Sequence, residues 1–265
     1  MSSGFRTASP AAPAFVDLHG QRIECVQYAG NPGAPTLVFL HEGLGSVSMW
    51  RDFPQRVVKA TGHSAMVYSR VGYGRSSALT APRHHDYMHV EALTALPAVL
   101  DRLAIERPIL IGHSDGASIA LIHAGGCSRA VCAVAAIAPH VFVEALSLTS
   151  IANARQAYAT GDLRERLAHH HADVDSAFRG WNDIWLAPAF RAWNIESFVR
   201  TITCPLLLIQ GKDDEYGTMA QVDTIQRQAP CRIDRVELAS CGHSPQRDQP
   251  EATLSALTRF IASVT

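Results

Sequence analysis

Residues 108–118 read Pro-Ile-Leu-Ile-Gly-His-Ser-Asp-Gly-Ala-Ser, an apolar run followed by a serine, Ser114, set between Gly112 and Gly116. Pro108 to Ile111 has the length and continuous apolarity of a strand buried on both faces. Asp115 to His123 has a helical pattern. Ser114 therefore falls on the turn between strand and helix. The glycines remove the Cβ atoms that would collide in so tight a bend. Such a turn lifts the hydroxyl out at the carboxyl end of a sheet, and the new helix points its first N–H groups at any negative charge that develops there. The plain alternative is an ordinary strand-to-helix junction that happens to hold Gly and Ser.

Outward from this turn the same alternation repeats. Strand-like runs stand at Thr36 to Leu40, Ala65 to Tyr68, Val131 to Ala138, Pro205 to Ile209 and Ile233 to Leu238. Between them lie helical patterns at Trp50 to Ala60, Asp86 to Leu103, Met219 to Gln228 and Pro250 to Ala262. Apolar strands alternating with helices predict an α/β fold, a doubly wound and mostly parallel sheet. Ahead of it, Phe15 to Leu18 and Arg22 to Tyr28 suit an antiparallel edge hairpin turned at His19-Gly20-Gln21. The rhythm breaks over 141–198, which is helical and holds Trp181, Trp185 and Trp193, three of the four tryptophans. It is read as an inserted helical cap. The expected organisation is a flexible leader at 1–14, a core built from 15–140 and 199–265, and the cap between the two core pieces.

Composition narrows the classes. The chain has 265 residues, 47% of them hydrophobic and 18% charged, with a formal net charge of -1. That is enough chain for a sizeable core. It offers no electrostatic reason to expect nucleic acid or an anionic membrane as a partner. No apolar run has the length of a membrane span, and the first fifteen residues lack the apolar centre of a secretory signal. The six cysteines form no CxxC pair, as expected of free thiols in a reducing cytoplasm.

A serine nucleophile needs a base, and the base needs an acid to orient it. Ser240-Cys-Gly-His243-Ser-Pro245 follows the last strand and precedes the last helix, which puts His243 at the same sheet edge as Ser114. Gly211-Lys-Asp213-Asp214-Glu215 follows the preceding strand, and an acid there can reach His243. Glu144, soon after the strand at 131–138, is a more distant candidate. The order is Ser, Asp, His.

The set of motifs resembles the α/β-hydrolase superfamily from about Thr36 to the C-terminus. The residues that carry the resemblance are His41-Glu-Gly-Leu-Gly45, Ser69-Arg-Val-Gly-Tyr-Gly-Arg-Ser76, the turn Gly112-His-Ser-Asp-Gly116, Gly211-x-x-Asp214 and Gly242-His243. The resemblance implies Ser114 as nucleophile, His243 as general base and Asp214 as the acid, because the family acid usually stands three residues after that glycine; Asp213 is the rival. It implies an oxyanion hole made by the backbone N–H groups of Asp115 and Gly43. This chain departs from the His-Gly-Gly form of that loop by carrying Glu42, so Leu44 is an alternative donor. Among branches, Gly-x-Ser-Asp-Gly resembles biphenyl-hydrolase-like or valacyclovir hydrolase proteins, some of which cleave aminoacyl esters.

The expectation is a serine hydrolase, carboxylesterase-like, acting on a small-molecule acyl substrate as a monomer or homodimer without cofactor or metal. Enol-lactone and C–C bond hydrolysis in aromatic breakdown are rival reactions. A non-catalytic hydrolase-fold binding protein is the rival of another class. Candidate substrate contacts are Glu42, Leu44, Asp115, Trp181, Trp185 and Trp193. Asp115 is expected either to be paired, with Arg70 as the candidate partner, or to bind a substrate ammonium. His169-His170-His171 with Asp173 and Asp175 reads as the solvated face of a cap helix, since adjacent helical residues point about 100° apart and rarely share one ion. Arg83-His84-His85-Asp86 reads as a loop with Asp86 capping the next helix.

Overall fold

The computed structural model of the protein describes residues 13–265. An antiparallel hairpin, β1 (Ala14–Leu18) and β2 (Gln21–Tyr28), starts the described chain. Residues 1–12 of the expected leader lie outside the described residues, and β1 begins at Ala14. There follow β3 (Leu37–Leu40), α1 (Phe53–Thr61), β4 (Ala65–Tyr68), α2 (Tyr87–Val90), α3 (Leu96–Arg102), β5 (Ile109–His113), α4 (Asp115–Gly126) and β6 (Ala133–Ile137). Four helices come next: α5 (Ala145–Thr160), α6 (Leu163–Ala168), α7 (Val174–Leu186) and α8 (Glu196–Val199). The chain closes with β7 (Leu206–Gly211), α9 (Ala220–Gln228), β8 (Ile233–Leu238), α10 (Pro245–Asp248) and α11 (Pro250–Val264).

The strands form one sheet in the order β1-β2-β4-β3-β5-β6-β7-β8. β2 meets β1 and β4 antiparallel; every other pair is parallel. The period of two inside each apolar run divides the core. Val38, Leu40, Met66, Tyr68, Leu110, Val134, Ala136, Leu206 and Leu208 share one buried cluster with α4 and the residues of α2, α3 and α9. Their neighbours Leu37, Phe39, Ala65, Val67, Ile109, Ile111, Ala133, Ala135, Leu207 and Ile209 share the other with α1 and α11. Each Val, Leu, Ile, Phe or Met among them contributes about 1.5–3 kcal/mol when fully buried, which holds the register that sets the strand ends.

Two helix expectations change. The run from Trp50 divides into a 3₁₀ turn at Val47–Trp50 and α1, which starts at Phe53 with Pro54 in its first turn, where a missing N–H costs nothing. The run from Asp86 is continuous but widens into a π-turn at Glu91–Ala95 before α3. Pro97 lacks an N–H and its ring crowds the carbonyl four residues back, and the wide turn absorbs both.

Residues 141–198 hold no strand. The ends of this segment meet: Phe142 bridges Asn194, and Ile195 N–H donates to Val141 C=O at 2.8 Å. α5 to α7 thus leave and re-enter the core through one narrow neck above the carboxyl ends of β6 and β7. Among the described residues no helix is long and apolar enough to cross a membrane, and no cluster of His, Cys, Asp and Glu is placed to hold a metal ion. All six cysteines are free thiols.

Candidate active site

Ser114 follows β5 and precedes α4, with φ 53° and ψ -119°. A non-glycine residue so placed costs about 1–3 kcal/mol and persists only where its surroundings impose it. Here they do. Ser114 N–H donates to Ile137 C=O at 2.9 Å, and the Ser114 carbonyl accepts from Ala117 and Ser118 in the first turn of α4. The flanking glycines act through close approach. A Cβ on Gly116 would strike the Leu40 carbonyl, and one on Gly112 would strike the backbone of Gly116.

Three side chains from three loops converge. His243 Nε2 lies 2.8 Å from Ser114 Oγ. His243 Nδ1 lies 2.9 Å from both carboxylate oxygens of Asp214. Asp214 is 8% exposed. Its Oδ1 also accepts from the N–H groups of Tyr216 (2.8 Å) and Gly217 (3.0 Å), and its Oδ2 from Gln210 Nε2 (2.7 Å). Burial alone would raise the Asp214 pKa. The bond from His243 and the two backbone donors outweigh that and hold it below the usual carboxylate value, so the acid stays ionised. Asp213, one residue away, is exposed. Glu144 accepts instead from Thr218 N–H, Thr218 Oγ1 and Gln221 Nε2, tying down the loop after Asp214.

The loop after β3 wraps the other side of Ser114. The Glu42 carbonyl accepts from His41 Nδ1 (2.7 Å), Gly45 N–H (3.0 Å) and Arg70 Nη2 (3.1 Å). Arg70, 1% exposed, also donates from Nη1 to the His41 carbonyl at 2.5 Å. A trans peptide is planar with its C=O and N–H opposed. Three donors on the Glu42 carbonyl therefore set the direction of the Gly43 N–H, away from Arg70. The Leu44 carbonyl accepts from His171 Nε2 at 2.9 Å.

Asp115, which opens α4, is fully enclosed. Its Oδ2 accepts from Tyr87 OH at 2.5 Å, and Trp185 Nε1 donates to that same hydroxyl at 3.1 Å. Its Oδ1 has no hydrogen-bond partner. Burial pushes the carboxyl pKa up, opposed by the nearby charge of Arg70 and the Tyr87 bond. The expected partner Arg70 thus acts on Asp115 by charge, while its hydrogen bonds go to the His41 and Glu42 carbonyls. Tyr87 is the bonded partner. No motif marked it; it stands at the start of α2, far from Asp115 in sequence.

The three tryptophans divide. Trp181 sets the Nε1–Cδ1 side of its indole against Gly43, where any Cβ would strike it. Trp185 braces Tyr87 and packs edge-on to His140, ring centres 5.2 Å apart. Trp193 stacks on Phe190 at 5.5 Å and serves packing. His140, whose ring lies 5.5 Å from that of His243, is buried and uncharged. Burial and the neighbouring His243 push its pKa down to about 3.

Two further expectations also change. His171 is buried, accepts at Nδ1 from Gly74 N–H and donates to Leu44, so it pins the insert to the loop after β3 rather than facing solvent. Asp173 caps α7 through Ser176 N–H, and Asp175 pairs with Arg164. Asp86 stands at the start of α2, but its carboxylate takes His84 Nδ1 and not a helix N–H. The Arg83 side chain is 6% exposed, ion-paired to Glu91 at 3.3 Å and set over the rings of Tyr73 and Tyr87.

Comparison with known proteins finds the same overall fold in solved structures. The solved structure of an enol-lactonase from Burkholderia xenovorans LB400 is similar over 94% of this chain and 100% of its own, with TM-score 0.72 and 20% identity. That of a proline iminopeptidase from Mycobacterium smegmatis covers 95% of this chain and 98% of its own, with TM-score 0.76 and 17% identity. At such identities the likeness is one of fold. In sequence, 95 residues are 32% identical to sn-1-specific diacylglycerol lipase ABHD11 of Xenopus tropicalis, a stretch that is 36% of this chain and 28% of that protein. The pattern described as "Alpha/beta hydrolase family" matches residues 37–256, and the chain belongs to that family.

Proposed function

We propose that the protein is a serine hydrolase that cleaves a small-molecule carboxylic ester, or a related acyl bond, through an acyl-enzyme. The observation that carries this reading is the unbroken chain from Ser114 Oγ through His243 to the ionised, buried Asp214. His243 takes the Ser114 proton as Oγ attacks the acyl carbon. The developing oxyanion is met by the N–H groups of Gly43 and Asp115, each worth about 3 kcal/mol in the transition state. His243 then passes the proton to the leaving oxygen. Water, deprotonated by the same imidazole, releases the acid and restores Ser114. No cofactor enters these steps. The segment 141–198 acts as the cap, with Trp181 and Trp185 shaping the space above the nucleophile. Free thiols and balanced charge support a cytoplasmic setting.

The biphenyl-hydrolase-like branch rests on the Asp behind the nucleophile. An aminoacyl-ester substrate would need that carboxylate to face its ammonium, but Asp115 is enclosed and bonded to Tyr87. A neutral acyl group is therefore the better reading, with enol-lactone or C–C cleavage as variants of the same chemistry. Ser114 should be labelled by a fluorophosphonate probe, and Ser114→Ala should not be. Equal labelling of both proteins would rule out Ser114 as the nucleophile, and a wild type that neither labels nor turns over aryl esters would favour the non-catalytic binding protein.

A further inference from the structure

Glu42 and His113 have no place in the steps above, yet they join the two loops that perform them. We infer that Glu42 and His113 form a positioning pair that locks the oxyanion loop to the loop of the general base. The inference rests on the serine-hydrolase reading and extends it to how the site is held.

His113 is the last residue of β5, directly before Ser114, and is 1% exposed. Its Nε2 lies 2.7 Å from the His243 carbonyl oxygen. A carbonyl only accepts, so Nε2 carries a proton. Its Nδ1 faces Glu42 Oε2 at 3.4 Å and the Gln246 side-chain amide at 3.1 Å. Gln246 Oε1 is buried without a partner. Turning that amide over lets Oε1 accept from a protonated Nδ1, so that both His113 N–H groups are used. Glu42 beside it is the matching anion.

The charges agree with that arrangement. Burial opposes a charged His113, but the bond and charge of Glu42 and the His243 carbonyl outweigh it and raise its pKa. Burial likewise opposes the Glu42 carboxylate, yet the His113 bond and charge hold it down at about 2. A buried ion pair is weak as a source of stability, since desolvation consumes most of its attraction. Its effect here is geometric.

Each end of the pair holds a group one peptide away from the chemistry. Glu42 shares its peptide with the Gly43 N–H. Its carbonyl is already fixed by His41, Gly45 and Arg70, and its side chain anchors the same residue from the opposite end. On the base side, the His243 N–H donates to Glu215 Oε2 at 3.2 Å while its carbonyl takes His113. The backbone of the base is thus held on both sides, and one of those sides is tied to the oxyanion loop. A misplacement of about 1 Å at such a site can cost on the order of 10²-fold in rate.

The test uses the whole protein with a p-nitrophenyl ester and a fluorophosphonate probe. His113→Leu removes both bonds. It should lower kcat roughly ten- to a hundredfold while KM stays within about threefold. His113→Gln can still present an N–H near the position of Nε2 and should recover most of that loss. Glu42→Gln, on a partly exposed side chain, should lower kcat about three- to tenfold, and its effect should not multiply with that of His113→Leu in the double variant. Probe labelling rates should follow kcat. Wild-type kcat in His113→Leu, no recovery in His113→Gln, or independent multiplication in the double variant would overturn the pair. Should His113→Leu fail to fold, Glu42→Gln and His113→Gln decide the matter, and near-wild-type kcat in the first with full loss in the second overturns it. A wild type that neither labels nor turns over removes the serine-hydrolase reading itself, a result distinct from any of these.

Discussion

Asp214→Asn tests the orientation of the base at single-atom level. Asp214 Oδ1 takes two backbone N–H groups, from Tyr216 and Gly217. An asparagine therefore keeps its oxygen there and must turn its amide NH₂ toward the position of Oδ2. That NH₂ faces His243 Nδ1 and Gln210 Nε2, both donors in the wild type. His243 answers by accepting at Nδ1, which moves its proton to Nε2, the atom that should receive the Ser114 proton. A base in the wrong tautomer typically loses about 10⁴ in kcat, or about 5–6 kcal/mol of barrier. The fold should survive. Gln210 has a buried, unpartnered Oε1 that can turn to accept from the new NH₂, at the cost of its bond to the Gly217 carbonyl, a net loss of about 1 kcal/mol. The assay is steady-state hydrolysis of an aryl ester beside a thermal melt. Asp214→Asn should lose nearly all kcat with a small fall in Tm and little change in KM. Asp213→Asn, at an exposed position, should stay within about twofold of wild type, as surface changes usually do. The reverse order, or an Asp214→Asn enzyme within tenfold of wild type, would refute the reasoning.

Tyr87→Phe should leave the enclosed Asp115 carboxylate without its bonded donor and destabilise the fold by about 1–3 kcal/mol, read as a lower urea midpoint; an unchanged midpoint would mean that water replaces the hydroxyl. Trp181→Ala opens space against Gly43 and should shift the kcat/KM ratio between a bulky aryl-acyl ester and a small acetate ester, whereas Trp193→Ala should mainly lower Tm; the opposite assignment would place the pocket on the other side of α7. Glu42 has a folded-state pKa depressed from the ordinary 4.5 to about 2, so its contribution to stability is present above pH 4.5 and fades as pH falls toward 2. Unfolding of Glu42→Gln followed over that range should therefore show a shallower acid loss than the wild type, and parallel curves would show that the carboxylate gains nothing on folding.

The sequence by itself determined the order of strands and helices, the strained turn at Ser114 and the loops that carry His41, Asp214 and His243. These are local signals. Buried parallel strands are apolar at every position, helices repeat on a longer period, and glycines on both sides of a serine at a strand end mark a tight turn. Even the π-turn before Pro97 is local in cause, since a proline inside a helical run must disturb the ladder. Only the tertiary structure decided which of two adjacent aspartates faces His243, because neighbours in a loop point in different directions and only one reaches Gln210, Tyr216 and His243. Only it paired Asp115 with Tyr87, assigned Arg70 to the carbonyls of His41 and Glu42, and made buried struts of His113 and of His171, the latter read from the sequence as part of a solvated tract. Those partners lie on separate elements brought together by the crossovers of the sheet, and no periodicity or spacing within one segment reports a hydrogen bond that closes across several others.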